Sequence, residues 1–267
     1  MHPMLNIGIR AARKAGNLIV KSFENLEEIE ITKKGSNDLV TNIDTEAEAL
    51  IIDIIREAYP EHNIIGEESG LLKGSDTDYQ WIIDPLDGSS NFVAGYPHVA
   101  VSIALRIKNR TELAIVYDPI RNELFTAERG RGAKLNNQRL RATKKKDLSE
   151  SVLGIGFPYK QRQHFPAFLS IFNEVALKSS DVRRSGSAAL DLCYVAAARI
   201  DAYFGMGLKP WDMAAAELIA REAGALCTDF AAGSNYFTSG NIVVANSRLV
   251  KAILSVIREK GTDSILK

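Results

Sequence analysis

The sequence predicts a mixed α+β and α/β protein built in two lobes, residues 1–148 and residues 149–267. Three features point there: helical apolar spacing near the start, a run of short alternating segments through the middle, and strand–helix alternation after Ser149. At 267 residues and 46% hydrophobic content, the chain can bury a substantial core.

Leu5, Ile9, Ala12, Gly16, Ile19 and Phe23 recur at helical spacing, so residues 4–23 are expected to form an amphipathic helix with Arg10, Arg13, Lys14 and Lys21 largely outside its stripe. Residues 33–38 read as a polar turn. Thr41 and Asp44 have capping-box spacing ahead of Ala47, Leu50, Ile51, Ile54, Ile55 and Ala58, which predicts a second helix that Pro60 stops near Tyr59. Ile64-Ile65 is a short strand running into Gly66-Glu67-Glu68-Ser69-Gly70, and one glutamate of the pair should point inward. Residues 98–107, 112–117 and 123–127 read as meander strands, with Gly130, Gly132 and Asn136-Asn137 carrying the pattern to about Leu140. The second lobe is expected as strand 152–157, helices 163–177 and 187–198, strand 200–204, helix 210–223, strands 225–229 and 242–245 and helix 248–259, with a fraying tail from Gly261.

Lys+Arg 33 balances Asp+Glu 33, so no global charge draws the chain to nucleic acid or an anionic membrane. The N-terminus lacks a charged-then-apolar signal pattern and no apolar run approaches the ~18 residues of a membrane span, so a cytoplasmic enzyme is expected. The basic run Arg139, Arg141, Lys144, Lys145 and Lys146 reads as a solvated linker in preference to a contact for RNA or an acidic partner. Cys193 and Cys227 have no CxxC spacing and read as buried thiols without a catalytic role.

The chemistry concentrates in Trp81-Ile82-Ile83-Asp84-Pro85-Leu86-Asp87-Gly88-Ser89-Ser90-Asn91-Phe92. An apolar strand-like run ends in two carboxylates. Pro85 stiffens the exit, so Asp84, Asp87 and the Leu86 carbonyl can converge as hard oxygen ligands for Mg²⁺ or Mn²⁺. Gly88 permits a conformation other residues resist, and the N–H groups of Gly88, Ser89 and Ser90 can face an anion if a helical turn begins there. An Asx-turn loop, with both aspartates capping backbone groups, is the equal alternative. Asp44 and Asp212 each read locally as helix-start acids. Arg183-Arg184-Ser185-Gly186-Ser187-Ala188 runs into a helix whose N-terminus suits an anionic or hydroxyl-rich ligand.

Together, Gly66-Glu67-Glu68-Ser69, the Trp81 to Phe92 stretch and Trp211-Asp212-Met213-Ala214-Ala215 resemble the motifs of the inositol monophosphatase family, in the same order and at similar separations. The likeness runs from the first helix to about Glu259 and is strongest to the bacterial extragenic-suppressor (SuhB-type) branch, with which Gly35-Ser36-Asn37-Asp38 and Gly186-Ser187-Ala188-Ala189-Leu190-Asp191 also agree. The resemblance implies a layered αβαβα sugar-phosphatase fold, a homodimer, a Mg²⁺ requirement and lithium sensitivity. It implies hydrolysis of inositol 1-phosphate, with fructose 1,6-bisphosphate, NADP and nucleotide 3′-phosphates as rival substrates. It also implies a role with RNA polymerase and Nus factors in ribosomal RNA transcription antitermination, beside the phosphatase activity or in place of it.

By the same resemblance, Glu67, Asp84 and the Leu86 carbonyl hold one Mg²⁺, and Asp84, Asp87 and Asp212 a second. Glu67 and Ser89 position the attacking water, Asp44 orients the Ser89 hydroxyl, and Gly88 and Ser89 N–H groups fix the phosphate. Leu86, Asp87 and Asp212 thereby border the substrate too, and Arg183, Gly186, Ser187 and Ala188 face its polyol side. Two departures stand out. Ser89 replaces the common threonine and keeps its hydroxyl. Gly205 replaces a glutamate that binds inositol hydroxyls in many members, a contact whose loss costs about 1–3 kcal/mol of discrimination.

Overall fold

The structure, a computed structural model, describes residues 2–35, 38–159, 161–262 and 265. Ser36 and Asn37 of the expected polar turn, and Asp263, Ser264, Leu266 and Lys267 of the expected tail, lie outside the described residues. Pro3 opens α1 (Pro3–Phe23), where a missing N–H is harmless, and the spaced apolar stripe buries Leu5, Ala12 and Ile19 together with Gly8 and Gly16. A polar hairpin, β1 (Ile31–Gly35) and β2 (Asp38–Thr41), stands where a turn was expected. Its sequence has no apolar alternation to announce a strand. The Thr41/Asp44 capping box then starts α2 (Asn42–Ala58), which stops at Tyr59 as predicted.

The first sheet contains β3 (His62–Gly66), β4 (Gly70–Leu72), β5 (Asp76–Asp87), β6 (Ala100–Ile107), β7 (Arg110–Asp118), β8 (Glu123–Glu128), β9 (Gly132–Leu135) and β10 (Gln138–Arg139), in the spatial order β10-β9-β8-β7-β6-β5-β3-β4. A one-turn helix, α3 (Ser89–Val93), follows β5. The second sheet begins at β11 (Val152–Gly156). After it come α4 (Phe165–Lys178), β12 (Asp181–Arg183), α5 (Ala188–Ala196), β13 (Ala202–Gly205), α6 (Pro210–Glu222), β14 (Leu226–Thr228), α7 (Tyr236–Ser239), β15 (Ile242–Ala245) and α8 (Ser247–Lys260), with strand order β12-β11-β13-β15-β14. The predicted helix over 187–198 is shorter because Ala198 takes a left-handed φ of 55°. Strand β12 and helix α7 carry no periodic signal long enough to be read.

Strand alternation divides the core into layers. Trp81 and Ile83 of β5 face α1 and α2, whereas Ile82 faces α5 and α6. In the second sheet Tyr203 and Val244 face those same two helices, and Phe204 and Val243 face α4 and α8. The result is five layers, helix–sheet–helix–sheet–helix. α1 lies close to its sheet because of its glycines. A Cβ on Gly16 would stand 2.5 Å from Tyr117 Cε1. Gly16→Val should therefore lose about 1–3 kcal/mol of folding stability by overpacking, read as a lowered denaturant midpoint at unchanged m-value; an unchanged midpoint would contradict this packing.

Candidate active site

Strands β3 and β5 are parallel neighbours, so their C-terminal ends emerge on one side. Gly66 pairs with Ile83, and the Glu67 N–H donates to the Ile83 carbonyl at 3.2 Å, which sets Glu67 beside Asp84. The turn beyond is pinned by buried Glu48, whose carboxylate accepts from the Glu68 N–H (2.9 Å) and the Ser69 N–H (2.7 Å). Only glycine fits at 66, since a Cβ there would run into that carboxylate.

β5 does not end at Asp84 as its sequence suggests. Asp84 pairs with Ser102 and Asp87 with Ala100, three steps against two, so a bulge takes up the extra residue and the strand continues to Asp87. A bulge is where a sheet tolerates Pro85, which has no N–H to give. The Asx-turn reading holds at Asp84. Asp84 makes the Asx turn, accepting from the Leu86 N–H at 3.0 Å, and it also lines the cavity. Gly88 takes a φ of 100°, which only glycine adopts without strain, and turns the chain into α3.

Ser89 stands at the start of α3. Its hydroxyl lies 2.8 Å from Asp44 Oδ1 and 3.0 Å from the Leu86 carbonyl, and Asp44 Oδ2 accepts from the Thr41 N–H (2.8 Å) and Thr41 hydroxyl (2.6 Å). Asp44 is therefore both the cap read from sequence and the acceptor for Ser89. Asp212 is equally double: Oδ2 caps α6 through the Lys209 N–H at 2.8 Å, and the residue faces the cavity. Asp87 ties the two sheets, since its Oδ2 accepts from the Ser187 hydroxyl (2.6 Å) and the Ala189 N–H (2.7 Å) at the start of α5.

A cavity of about 840 Å³ opens between the sheets. It is lined by Glu67, Asp84, Asp87 and Asp212, by Gly88 and Ser89, and by Arg184, Gly186, Ala188, Asp191 and Tyr203. Burial, then the charges of Glu67, Asp87 and Asp212, push the Asp84 carboxyl well above the usual carboxylate range. Burial also raises Asp87 against the pull of its Ser187 hydrogen bond, and raises Asp44 against its Thr41 bonds. Asp191, buried in α5, is pushed up to about 7. Among the described residues no three of these side chains close on one point at metal-ligand spacing. The donors themselves, carboxylates and the Leu86 carbonyl, are those of a hard divalent cation.

Three expectations change. The Arg183 side chain does not line the cavity: it pairs with Asp181 at 2.5 Å, and Arg184 lines the cavity in its place, because neighbouring residues of an extended segment point to opposite sides. Ser187 is fully buried behind Asp87, which it holds, and also caps α5 through the Leu190 N–H at 3.2 Å. Gly205 has no room for a larger side chain as Tyr203 stands, since a Cβ would lie 2.6 Å from its hydroxyl. Glu48, Arg184, Asp191 and Tyr203 were not anticipated. Signals for two of them exist in the sequence: Glu48 shares the helical face of Asp44, Ile51 and Ile55, and Asp191 is the lone charge in an otherwise apolar helix.

The alternating helix and sheet layers are those of the inositol monophosphatase and SuhB type of fold. The chain belongs to the inositol monophosphatase family, whose profile it matches over residues 1–262. It is 62% identical to Nus factor SuhB of Vibrio cholerae over 267 residues, covering 100% of both chains. It is 57% identical to Nus factor SuhB of Escherichia coli K12 over 265 residues, covering 99% of both. The crystal structure of extragenic suppressor protein suhB from Bartonella henselae superposes with a TM-score of 0.94 at 36% identity, over 97% of this chain and 99% of that one.

A carboxyl whose pKa is raised by folding binds its proton more tightly folded than unfolded, so its contribution to stability falls as pH rises above the unfolded value of 3.8. Asp84→Asn removes that penalty and keeps the oxygen that accepts from Leu86. Without divalent ions, its stability advantage over the wild type should grow between pH 4 and pH 8, by about 1.4 kcal/mol for each unit of raised pKa. Melting curves in chelator test this, and an advantage independent of pH would refute it.

Proposed function

We propose that this chain is a Mg²⁺-dependent phosphomonoesterase that hydrolyses inositol 1-phosphate, or a related polyol phosphate, to the alcohol and inorganic phosphate. The observation that carries this reading is the gathering of Glu67, Asp84, Asp87 and Asp212 around one cavity, where burial and then the charges of the other three raise Asp84. Such a cluster fits a divalent cation, with Glu67, Asp84, the Leu86 carbonyl, Asp87 and Asp212 as its holders. When bound, Mg²⁺ acidifies water and neutralises phosphate charge.

The chain's own residues do the positioning. Asp44 accepts the Ser89 proton, which leaves the Ser89 oxygen lone pairs turned to the attacking water, and Glu67 holds that water from the other side. The N–H groups of Gly88 and Ser89 hold the phosphate, so the water oxygen approaches phosphorus in line with the departing alkoxide. Gly186 and Ala188 border the alcohol. Fructose 1,6-bisphosphate, NADP and nucleotide 3′-phosphates are the rival substrates, since the acid cluster serves any phosphomonoester.

With Mg²⁺, phosphate release from inositol 1-phosphate should be lost in chelator, inhibited by Li⁺, and abolished in Asp84→Asn. Ser89→Ala should lower kcat on the order of 10²-fold. Turnover that persists in Asp84→Asn would sink the reading.

Full-length identity of 62% to a Nus factor supports a second role, with RNA polymerase and Nus factors, for a cytoplasmic homodimer. No helix among the described residues is long and apolar enough to cross a membrane. Wild type and Asp84→Asn should both retain RNA polymerase in a pull-down if this role does not need catalysis. Retention by neither removes the role.

A further inference from the structure

Asp191 lines the same cavity, and its carboxyl takes a hydrogen bond from the Ser185 side chain. It is 2% exposed, and its Oδ1 has no hydrogen-bond partner. An unsatisfied buried oxygen costs about 1–3 kcal/mol unless something fills it. Its neighbours on the helix, Ala189, Leu190, Leu192 and Cys193, are apolar and fully buried and give Oδ1 no donor.

Its neighbour is Tyr203, buried on β13. Glycines make the space that this ring occupies. A Cβ on Gly154 would lie 3.1 Å from Tyr203 Cδ2 and 3.6 Å from the Asp191 Cβ, one on Gly205 would lie 2.6 Å from the phenol oxygen, and one on Gly156 would collide with that oxygen. The Tyr203 ring thereby stands beside Asp191 across Gly154, its hydroxyl lies over Gly156 and Gly205, and both residues line the cavity. An acceptor oxygen on Asp191 and a phenol O–H on Tyr203, both on the lining of one cavity, match the donor and acceptor of an alcohol hydroxyl. A ligand cation fits less well, because the Arg184 guanidinium already acts on the Asp191 carboxyl.

We propose that Asp191, backed by Tyr203, binds a hydroxyl of the alcohol half of the phosphomonoester and so selects polyol phosphates over aryl or simple alkyl ones. This rests on the phosphatase reading above and adds the specificity contact to it. A site built to hydrogen-bond a substrate hydroxyl discriminates against an analogue that lacks it.

The test compares kcat/KM for inositol 1-phosphate with kcat/KM for phenyl phosphate, which has the ester and no hydroxyl. The ratio is measured within each protein, so partial unfolding of a variant cancels. Asp191→Ala should lower the ratio about tenfold, mainly through KM for inositol 1-phosphate. Asp191→Asn, which keeps an acceptor oxygen, should lower it less, and Tyr203→Phe should lower it while leaving the ring packed among the glycines. A ratio within threefold of wild type in both Asp191→Ala and Tyr203→Phe overturns the proposal while leaving the phosphatase reading intact. A wild type that hydrolyses neither compound overturns both.

Discussion

The burial of Asp84 among Glu67, Asp87 and Asp212 is the constraint on which the rest of the molecule depends. Like charges out of water repel and are poorly solvated, so no carboxylate would stay there unless the surrounding backbone gave it no alternative. The structure supplies that compulsion from several elements at once. Parallel pairing of β3 with β5 fixes Glu67 against Asp84, the bulge at Pro85 brings Asp87 round, and the first turn of α6 presents Asp212.

Each aspartate of the cluster has one oxygen tied to the scaffold: Asp84 to the Leu86 N–H, Asp87 to Ser187 and Ala189, Asp212 to the Lys209 N–H. These bonds are ordinary turn and capping contacts. They explain why local reading of the Asp84 to Asp87 stretch left metal ligand and cap as open alternatives, since a side chain that ties one oxygen to the backbone also lines the cavity. Asp44 likewise divides its oxygens: Oδ2 closes the capping box while Oδ1 holds Ser89.

Much of this was legible in the residues. The stripes of α1 and α2, the meander of β6 to β8 and the change of texture after Ser149 depend on local periodicity, which a sequence displays directly. What escaped depends on contacts across the chain. Arg183 and Arg184 are indistinguishable by type and adjacent in position, and only the direction of the extended segment decides which one faces the cavity. Ser187 reads as a ligand-facing hydroxyl until Asp87, a hundred residues earlier, is seen to take it. The hairpin of β1 and β2 is polar and short, so its pairing has no signature. Gly205 shows the limit most plainly: the sequence registers a missing side chain, whereas the fold shows that Tyr203 occupies the space.

α6 carries Asp212 at its start, yet its buried alanines, Ala214, Ala215 and Ala216, pack with Ala100, Ala104 and Ala114 of the first sheet. Small side chains leave little play between helix and strand. The acid contributed from the second half of the chain is thus gauged against the first sheet, while Asp191 and Tyr203 belong to α5 and β13. Because α5 also holds Asp87 through Ser187 and Ala189, Asp191 shares its support with the acid cluster, and it is β13, with Tyr203, that a lineage could redraw while leaving those acids in place.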